Sequence, residues 1–340
     1  MFCISTADKD KKNYYICYSV WYGLPEKADA FFVRAEYMLL KMKKINIALV
    51  RGLMLMMSKL PLSWLYGVGD AFAWFARRVL HYRERVIMTN LARSFPDKKY
   101  WELDPIADAF YKHLGEIIAE AIWFGGANYE KVHKQGLCRI TNPEVLNDAF
   151  NESPSVMVLN SHCGNWEVLG GFCTYNYDES HRPPDYNENN LCVVYKKLTN
   201  EVMDEVFRLN RTSCVRGYDC LVEASQFLRC ALKNKGEKKI YVANSDQSPY
   251  VGRFFIGEFL SQPTYAMKGV VGVAHKMNMS VLFLRMVRKQ RGLYEFTFHK
   301  LCDDASQLDP EQIVRMYYTE LEKEILETPH NWLWSHKRWK

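Results

Sequence analysis

The sequence predicts an α/β protein: a mixed, largely parallel sheet covered by helices, preceded by an N-terminal membrane-associated helical region. Three observations carry this. Short apolar runs alternate with stretches of helical period, the pattern of strands buried on both faces. Hydrophobic residues fill 48% of 340 positions and charged residues 25%, enough for a sizeable core and incompatible with wholesale disorder. A strongly apolar, aromatic segment lies ahead of the alternating region. Gly 18 and Pro 12 exclude a collagen-like or low-complexity chain, and the lack of a repeat of some 20–50 residues argues against a solenoid.

Residues 1–41 form an extension without clear period, and Met42-Lys43-Lys44 before an apolar run looks like a natural start. From Ile45 to Ala76 the chain is apolar but interrupted by Arg51, Lys59 and Asp70, so a clean transmembrane span fails and no cleavage site follows for a signal peptide. The expectation is a membrane-associated segment over 42–80: a helix over 45–58, a break near Pro61, and a second aromatic helix. Arg77-Arg78 and Arg83-Arg85 would then face the cytoplasmic side; the competing reading is a buried core helix pair. The net charge of +6 points the same way, because residues 1–99 hold 17 Lys/Arg against 8 Asp/Glu and the rest of the chain is acidic. Such clustering suits an anionic membrane surface rather than a nucleic-acid groove.

Residues 81–340 form the α/β domain. A helix is expected over 106–124. Strands are expected at Ser155–Leu159, Leu191–Tyr195, Lys239–Ala243 and Val281–Val287. Further helices are expected at Tyr218–Lys235, closed by Gly236, at Thr264–Lys276, and at Glu311–Thr328 before Pro329. Ten cysteines lie from Cys3 to Cys302 with no C-x-x-C pair, which reads as reduced, mostly buried thiols rather than a zinc site or disulfide scaffold. The histidines do not gather at ligand spacing, so no metal is expected.

The most informative segment is SVMVLNSHCGNWEVLGGF, residues 155–172. A buried strand ends near Asn160, a turn containing Gly164 follows, and a helix starts at Asn165, a good N-cap. His162 then sits at the carboxyl end of a strand, where α/β sheets place ligands. On one continuous helix His162 and Glu167 would point about 140° apart; with the turn between them, the carboxylate can fold back onto the imidazole and prepare a general base. His-x4-acid spacing arises roughly once by chance in this composition, and His299 with Asp304 repeats it, so the strand–turn–helix context carries the argument. Asp246-Gln247, at the end of another apolar run, would face the same crevice, unless Asp246 merely makes an Asx-turn. Arg253 follows. Lys196, at a third strand end, could bind an anionic group or remain solvated.

Taken together these residues resemble the late acyltransferases of lipid A biosynthesis, the lauroyl/myristoyl transferase family, over residues 45–340. The resemblance rests on NLARSFPD (90–97), NSHCGNWE (160–167), the Asp246-Gln247 pair followed by FF and Gly257, Pro263-Thr264, and P-x-x-W-x-W-x-H-x-R-W-K from Pro329 to Lys340. It implies a protein at the cytoplasmic face of the inner membrane, an acyl donor on acyl carrier protein, no further cofactor, and an acceptor hydroxyl on a lipid A precursor. The family's H-x4-D/E dyad maps onto His162 and Glu167. Backbone N–H groups near Gly164 and Asn165, with Lys196, are then expected at the oxyanion, while Asp246, Gln247 and Arg253 complete the binding site. Two departures stand out: Lys196-Lys197 follows Tyr195 where members usually carry Arg-Pro, and Cys163 replaces a bulky apolar residue, which makes a covalent acyl-cysteine conceivable. Competing readings are the same chemistry on another membrane lipid, a thioester hydrolase, and a non-catalytic peripheral membrane protein.

Overall fold

The computed structural model describes residues 26–177, 184–214, 220–249 and 252–339, with the side chains of 26–37, 39 and 176–177 left aside. The expected extension over 1–41 falls mostly outside the described residues. The helix expected over 45–58 is part of a longer one, α1 (Glu26–Met57). It is followed by α2 (Leu62–Arg78), α3 (Glu84–Ser94), α4 (Tyr100–Phe124) and α5 (Tyr129–Gln135). Then come β1 (Cys138–Ile140), α6 (Pro143–Glu152) and β2 (Val156–Asn160). A 3-10 segment (Trp166–Thr174), β3 (Asn176–Tyr177), β4 (Leu191–Tyr195), α7 (Glu201–Arg211), β5 (Leu221–Glu223) and α8 (Phe227–Lys233) come next. The chain closes with β6 (Ile240–Asn244), the hairpin β7 (Arg253–Phe259) and β8 (Gln262–Met267), α9 (Gly269–Lys276), β9 (Ser280–Gln290), β10 (Leu293–Cys302) and α10 (Pro310–Glu327).

Eight strands form one sheet in the order β3-β1-β10-β9-β2-β6-β4-β5, and β7-β8 stand apart as a hairpin. Every pairing in the large sheet is parallel except β9 with β10. The central strands read as unbroken apolar runs because both faces are covered. Met157, Leu159, Tyr241, Ala243, Val281 and Phe283 enter one core with α9 and α10, while Val156, Val158, Ile240, Val242, Leu282 and Leu284 enter the other with α6 and the 3-10 segment. Each such side chain contributes about 1.5–3 kcal/mol on burial.

Two expectations are corrected. Thr264–Lys276 is not one helix: Thr264 lies in β8, whose alternate residues Gln262, Thr264 and Ala266 are buried, and the helix begins only at Gly269. Within the stretch read as a helix over 218–235, Leu221–Glu223 pairs in parallel with β4.

The apolar N-terminal segment forms two helices bent by 118°, and no single helix among the described residues is long and apolar enough to cross a membrane. Two of its three interrupting charges pair within the protein, while Lys59 is exposed. Arg51 donates to Asn210 Oδ1 (3.0 Å) and the Gly125 carbonyl (2.8 Å), and Asp70 takes both terminal nitrogens of Arg291 (3.0 and 2.6 Å). Arg77, one of the cations expected on the cytoplasmic side, is buried against Glu84, Asp104 and Asp108. What remains outward at helical spacing is Leu49, Leu53, Met56, Leu60, Trp64, Val68 and Phe72, with Trp64 69% exposed. Behind that face α2 meets α4 backbone to backbone: a Cβ on Gly69 would lie 2.4 Å from the Gly115 carbonyl oxygen.

Candidate active site

β2 and β6 are adjacent and in register, Asn160 opposite Asn244, so the residues beyond their carboxyl ends converge, as expected for an α/β sheet. The turn after β2 is built around Gly164, at φ +62° and so close to Met286 that a Cβ would lie 2.6 Å from its Cγ. This left-handed, crowded position admits glycine readily and other residues only with strain. Asn165 caps the 3-10 segment as expected, its Oδ1 accepting from the Glu167 N–H (3.1 Å).

His162, whose side chain is 12% exposed, meets a carboxylate, but not that of Glu167. Its Nδ1 lies 2.7 Å from Asp246 Oδ1, and its backbone N–H donates to Asp246 Oδ2 (3.1 Å). Asp246 Oδ2 also accepts from the Trp332 indole N–H (2.8 Å). Burial opposes ionisation of Asp246, but the imidazole, the indole and the backbone N–H outweigh it and hold its pKa down to about 2. Thus Nδ1–H donates to a fixed carboxylate, and Nε2 carries the basic lone pair. That nitrogen lies 3.1 Å from Gln247 Nε2 and 3.3 Å from Asn244 Nδ2.

Glu167 instead forms a two-pronged ion pair with Arg211 of α7 (2.7 Å at both oxygens) and accepts from the Trp166 indole N–H (3.0 Å). It reaches the imidazole only through Trp166, whose ring packs edge-on against His162 with centroids 5.0 Å apart. The carboxylate on the base therefore comes from the neighbouring strand, 84 residues on, because strand register and not turn curvature decides what faces His162.

The backbone donors expected at the oxyanion are also engaged elsewhere. The Gly164 N–H donates to the Asn331 carbonyl (3.1 Å) and the Asn165 N–H to Met286 Sδ (3.1 Å). The side-chain amides of Gln247 and Asn244 are the polar groups nearest His162 Nε2. Lys196 is exposed just past β4. Arg253 is exposed on β7, its guanidinium 5.3 Å from the Tyr265 ring centroid. Cys163 is fully buried, and burial drives its thiol pKa well up, so it offers no thiolate for an acyl intermediate.

Three contributors were not anticipated. The C-terminal segment straps the site: Trp332 pairs with Cys163 as an isolated antiparallel bridge and sends its indole to Asp246. His113 of α4, wholly buried, sits with Nε2 3.2 Å from the Gly164 carbonyl. Glu120 of α4 accepts from Asn165 Nδ2, Tyr294 and Tyr66 (each 2.8 Å), and burial pushes its pKa up to about 7. Among the described residues, no cluster of His, Cys, Asp and Glu is arranged to hold a metal ion. Two cavities, about 200 Å³ beside Cys173 and Cys214 and about 470 Å³ beside Tyr66 and Arg291, are lined by other residues than His162.

No curated protein matches the chain. A family model does, over residues 35–340, nearly its whole length, and its span takes in the His162–Asp246–Trp332 arrangement entire. The chain belongs to the bacterial lipid A biosynthesis acyltransferases.

Proposed function

We propose that the protein transfers a fatty acyl group from acyl carrier protein to a hydroxyl of a lipid A precursor at the cytoplasmic face of the inner membrane, with His162 as general base. The observation that carries this is the His162–Asp246–Trp332 chain at the carboxyl ends of the two central strands. Nε2 removes the acceptor's hydroxyl proton, and that oxygen attacks the thioester carbonyl carbon. The Gln247 amide donates to the oxygen that becomes negative, the role in which a fixed donor lowers the barrier most. As the tetrahedral carbon collapses, the C–S bond breaks and the leaving thiolate takes the proton from the imidazolium. Asp246 stabilises that imidazolium and holds its tautomer. Glu167 acts one step back: tied to Arg211, it fixes the Trp166 indole against the imidazole. The sealed Cys163 thiol favours direct transfer.

The outward face of α1 and α2 supports attachment to a membrane surface. Arg51 and Asp70 are paired within the protein, and the exposed Leu49, Leu53, Trp64 and Phe72 offer apolar and aromatic side chains on both helices, as interfacial helices do.

The test is His162→Ala, assayed with acyl-acyl carrier protein and a lipid A precursor in mixed micelles and read by mass spectrometry as one added acyl group. Loss of a general base lowers the rate by about 10²–10⁴-fold. Activity within a few-fold of the parent overturns the assignment, and free fatty acid as the sole product would make the protein a hydrolase.

A further inference from the structure

The second nitrogen of the imidazole is more elaborately held than proton abstraction alone requires. Asn160 and Asn244 end β2 and β6 as register partners, so their side chains lie next to one another at the carboxyl ends of two central strands. Asn160 Nδ2 donates to Asn244 Oδ1 (2.8 Å). This leaves the NH2 end of Asn244 turned toward His162 Nε2 at 3.3 Å. An NH2 group only donates, so Nε2 must be the bare nitrogen and Nδ1 the protonated one. The arrangement has a cost: Asn160 Oδ1 is buried without a hydrogen-bond partner. Turning the Asn244 amide over would place its oxygen on Nε2, which satisfies hydrogen bonding only when Nε2 bears a hydrogen. Asn244 would then direct its NH2 group at Asn160, whose orphan oxygen would gain a donor by turning too.

We infer that Asn244, oriented by Asn160, is a positioning residue for His162: its NH2 group meets the bare Nε2 that Asp246 leaves by holding the hydrogen on Nδ1, and the coupled turn of both amides offers Asn244 Oδ1 to the Nε2–H once Nε2 has taken the acceptor's proton. This rests on His162 being the base. The ionisable groups facing the imidazole from the surrounding elements are Asp246 on Nδ1, Glu167 behind Trp166, Cys163 and Glu324 beneath the turn, and His336 beyond Ser248. None of them contacts Nε2. Its hydrogen-bonding partners are the two neutral amides.

The experiment is long-range ¹H–¹⁵N correlation NMR of the full chain in detergent, with ¹⁵N-labelled histidine and the His162 signals assigned by their loss in His162→Gln. The parent should show a single neutral tautomer with hydrogen on Nδ1. Asn160→Leu, which frees the Asn244 amide to turn, should keep that tautomer and displace its ¹⁵Nε2 resonance, because the bare nitrogen loses a fixed NH2 donor. Should that buried substitution prevent folding, Asn244→Ala, at a half-buried position, should report the same displacement. Asn160→Asp should go further in the same sense: its carboxylate claims the Asn244 NH2 group, turns Asn244 Oδ1 to Nε2, and moves the acid limb of kcat/KM upward by about one pH unit. An unmoved ¹⁵Nε2 resonance in every variant, or an unmoved acid limb in Asn160→Asp, overturns the inference. The ¹⁵N readout does not involve acyl transfer, so it stands apart from the His162→Ala test: full activity there sinks the base, while an unmoved ¹⁵Nε2 resonance here sinks only the amide pair.

Discussion

Asp246→Asn tests the chemistry most sharply because it changes one charge and almost no volume. Asp246 presents one oxygen to His162 Nδ1 and the other to the His162 backbone N–H and the Trp332 indole. An asparagine has one acceptor oxygen. Placed where Oδ2 now lies, that oxygen keeps two bonds; placed where Oδ1 lies, it keeps one. The two-bond orientation turns the new NH2 group onto Nδ1, which must then surrender its hydrogen to Nε2. The base would be capped on the nitrogen that has to accept the proton. Even with the correct tautomer, the imidazolium formed in the transition state would lose a buried opposite charge. At about 4 Å between charge centres and an effective dielectric near 20, that charge is worth about 4 kcal/mol, or about three orders of magnitude in rate. The assay is kcat/KM for acyl transfer in mixed micelles, with thermal melting to show that the variant folds. Combined with His162→Ala, the substitution should cost little more than His162→Ala alone, as expected for two parts of one unit. A folded Asp246→Asn enzyme within ten-fold of the parent would refute the argument.

Two further outcomes follow. Burial raises the Glu120 pKa to about 7 from its ordinary 4.5, so its contribution to stability is complete below about pH 4.5 and is lost as pH rises through 7; Glu120→Gln should therefore reduce the fall in Tm between pH 5 and pH 8, and an unchanged fall would show that Glu120 does not titrate there. On the outer face, Leu53→Glu combined with Trp64→Glu removes two exposed apolar anchors worth about 1.5–3 kcal/mol each at full burial and should move the protein from the membrane pellet to the supernatant; retention in the pellet after a high-salt wash would place the attachment elsewhere.

The large sheet was legible because its strands announce themselves: Leu191–Tyr195 matches β4 to the residue, and the runs predicted at 155–159 and 239–243 are β2 and β6 displaced by one. The hairpin strand β8 was not legible, since its inward residues are Gln262, Thr264 and Ala266. Polar and small side chains facing inward leave no hydrophobic alternation to detect. Gln262 is held by a hydrogen bond to Ser94, 168 residues away, and Trp339 donates to Thr264, 75 residues away, partners invisible to a local window. The same reasoning explains the site. His162 and Asp246 each stood out at a strand end, but which carboxylate faces the imidazole depends on the register of β2 against β6. Glu167 was nearer in sequence; Arg211, 44 residues away, had already claimed it.

The charged residues that spoil the hydropathy of the N-terminal segment give its helices a definite inner side. Asp70 on α2 binds Arg291, and Arg291 also binds Glu116 of α4 (2.9 Å). Four residues along, one helical turn from Glu116, Glu120 gathers Tyr66 of α2, Tyr294 of β10 and Asn165 of the catalytic turn. The close backbone approach between α2 and α4 at Gly69 and Gly115 lies beside this network, so the two helices can shift little without breaking its bonds. A buried carboxylate with three neutral donors keeps those donors in place because each would otherwise be stranded at about 1–3 kcal/mol. The helix whose far side is bare and apolar is thereby joined, through one carboxylate, to the asparagine that caps the segment following His162. Such a network is a rigid connection between the outer face of α2 and the turn that carries His162. Here the connection is made by the polar residues that a hydropathy profile counts against a membrane helix.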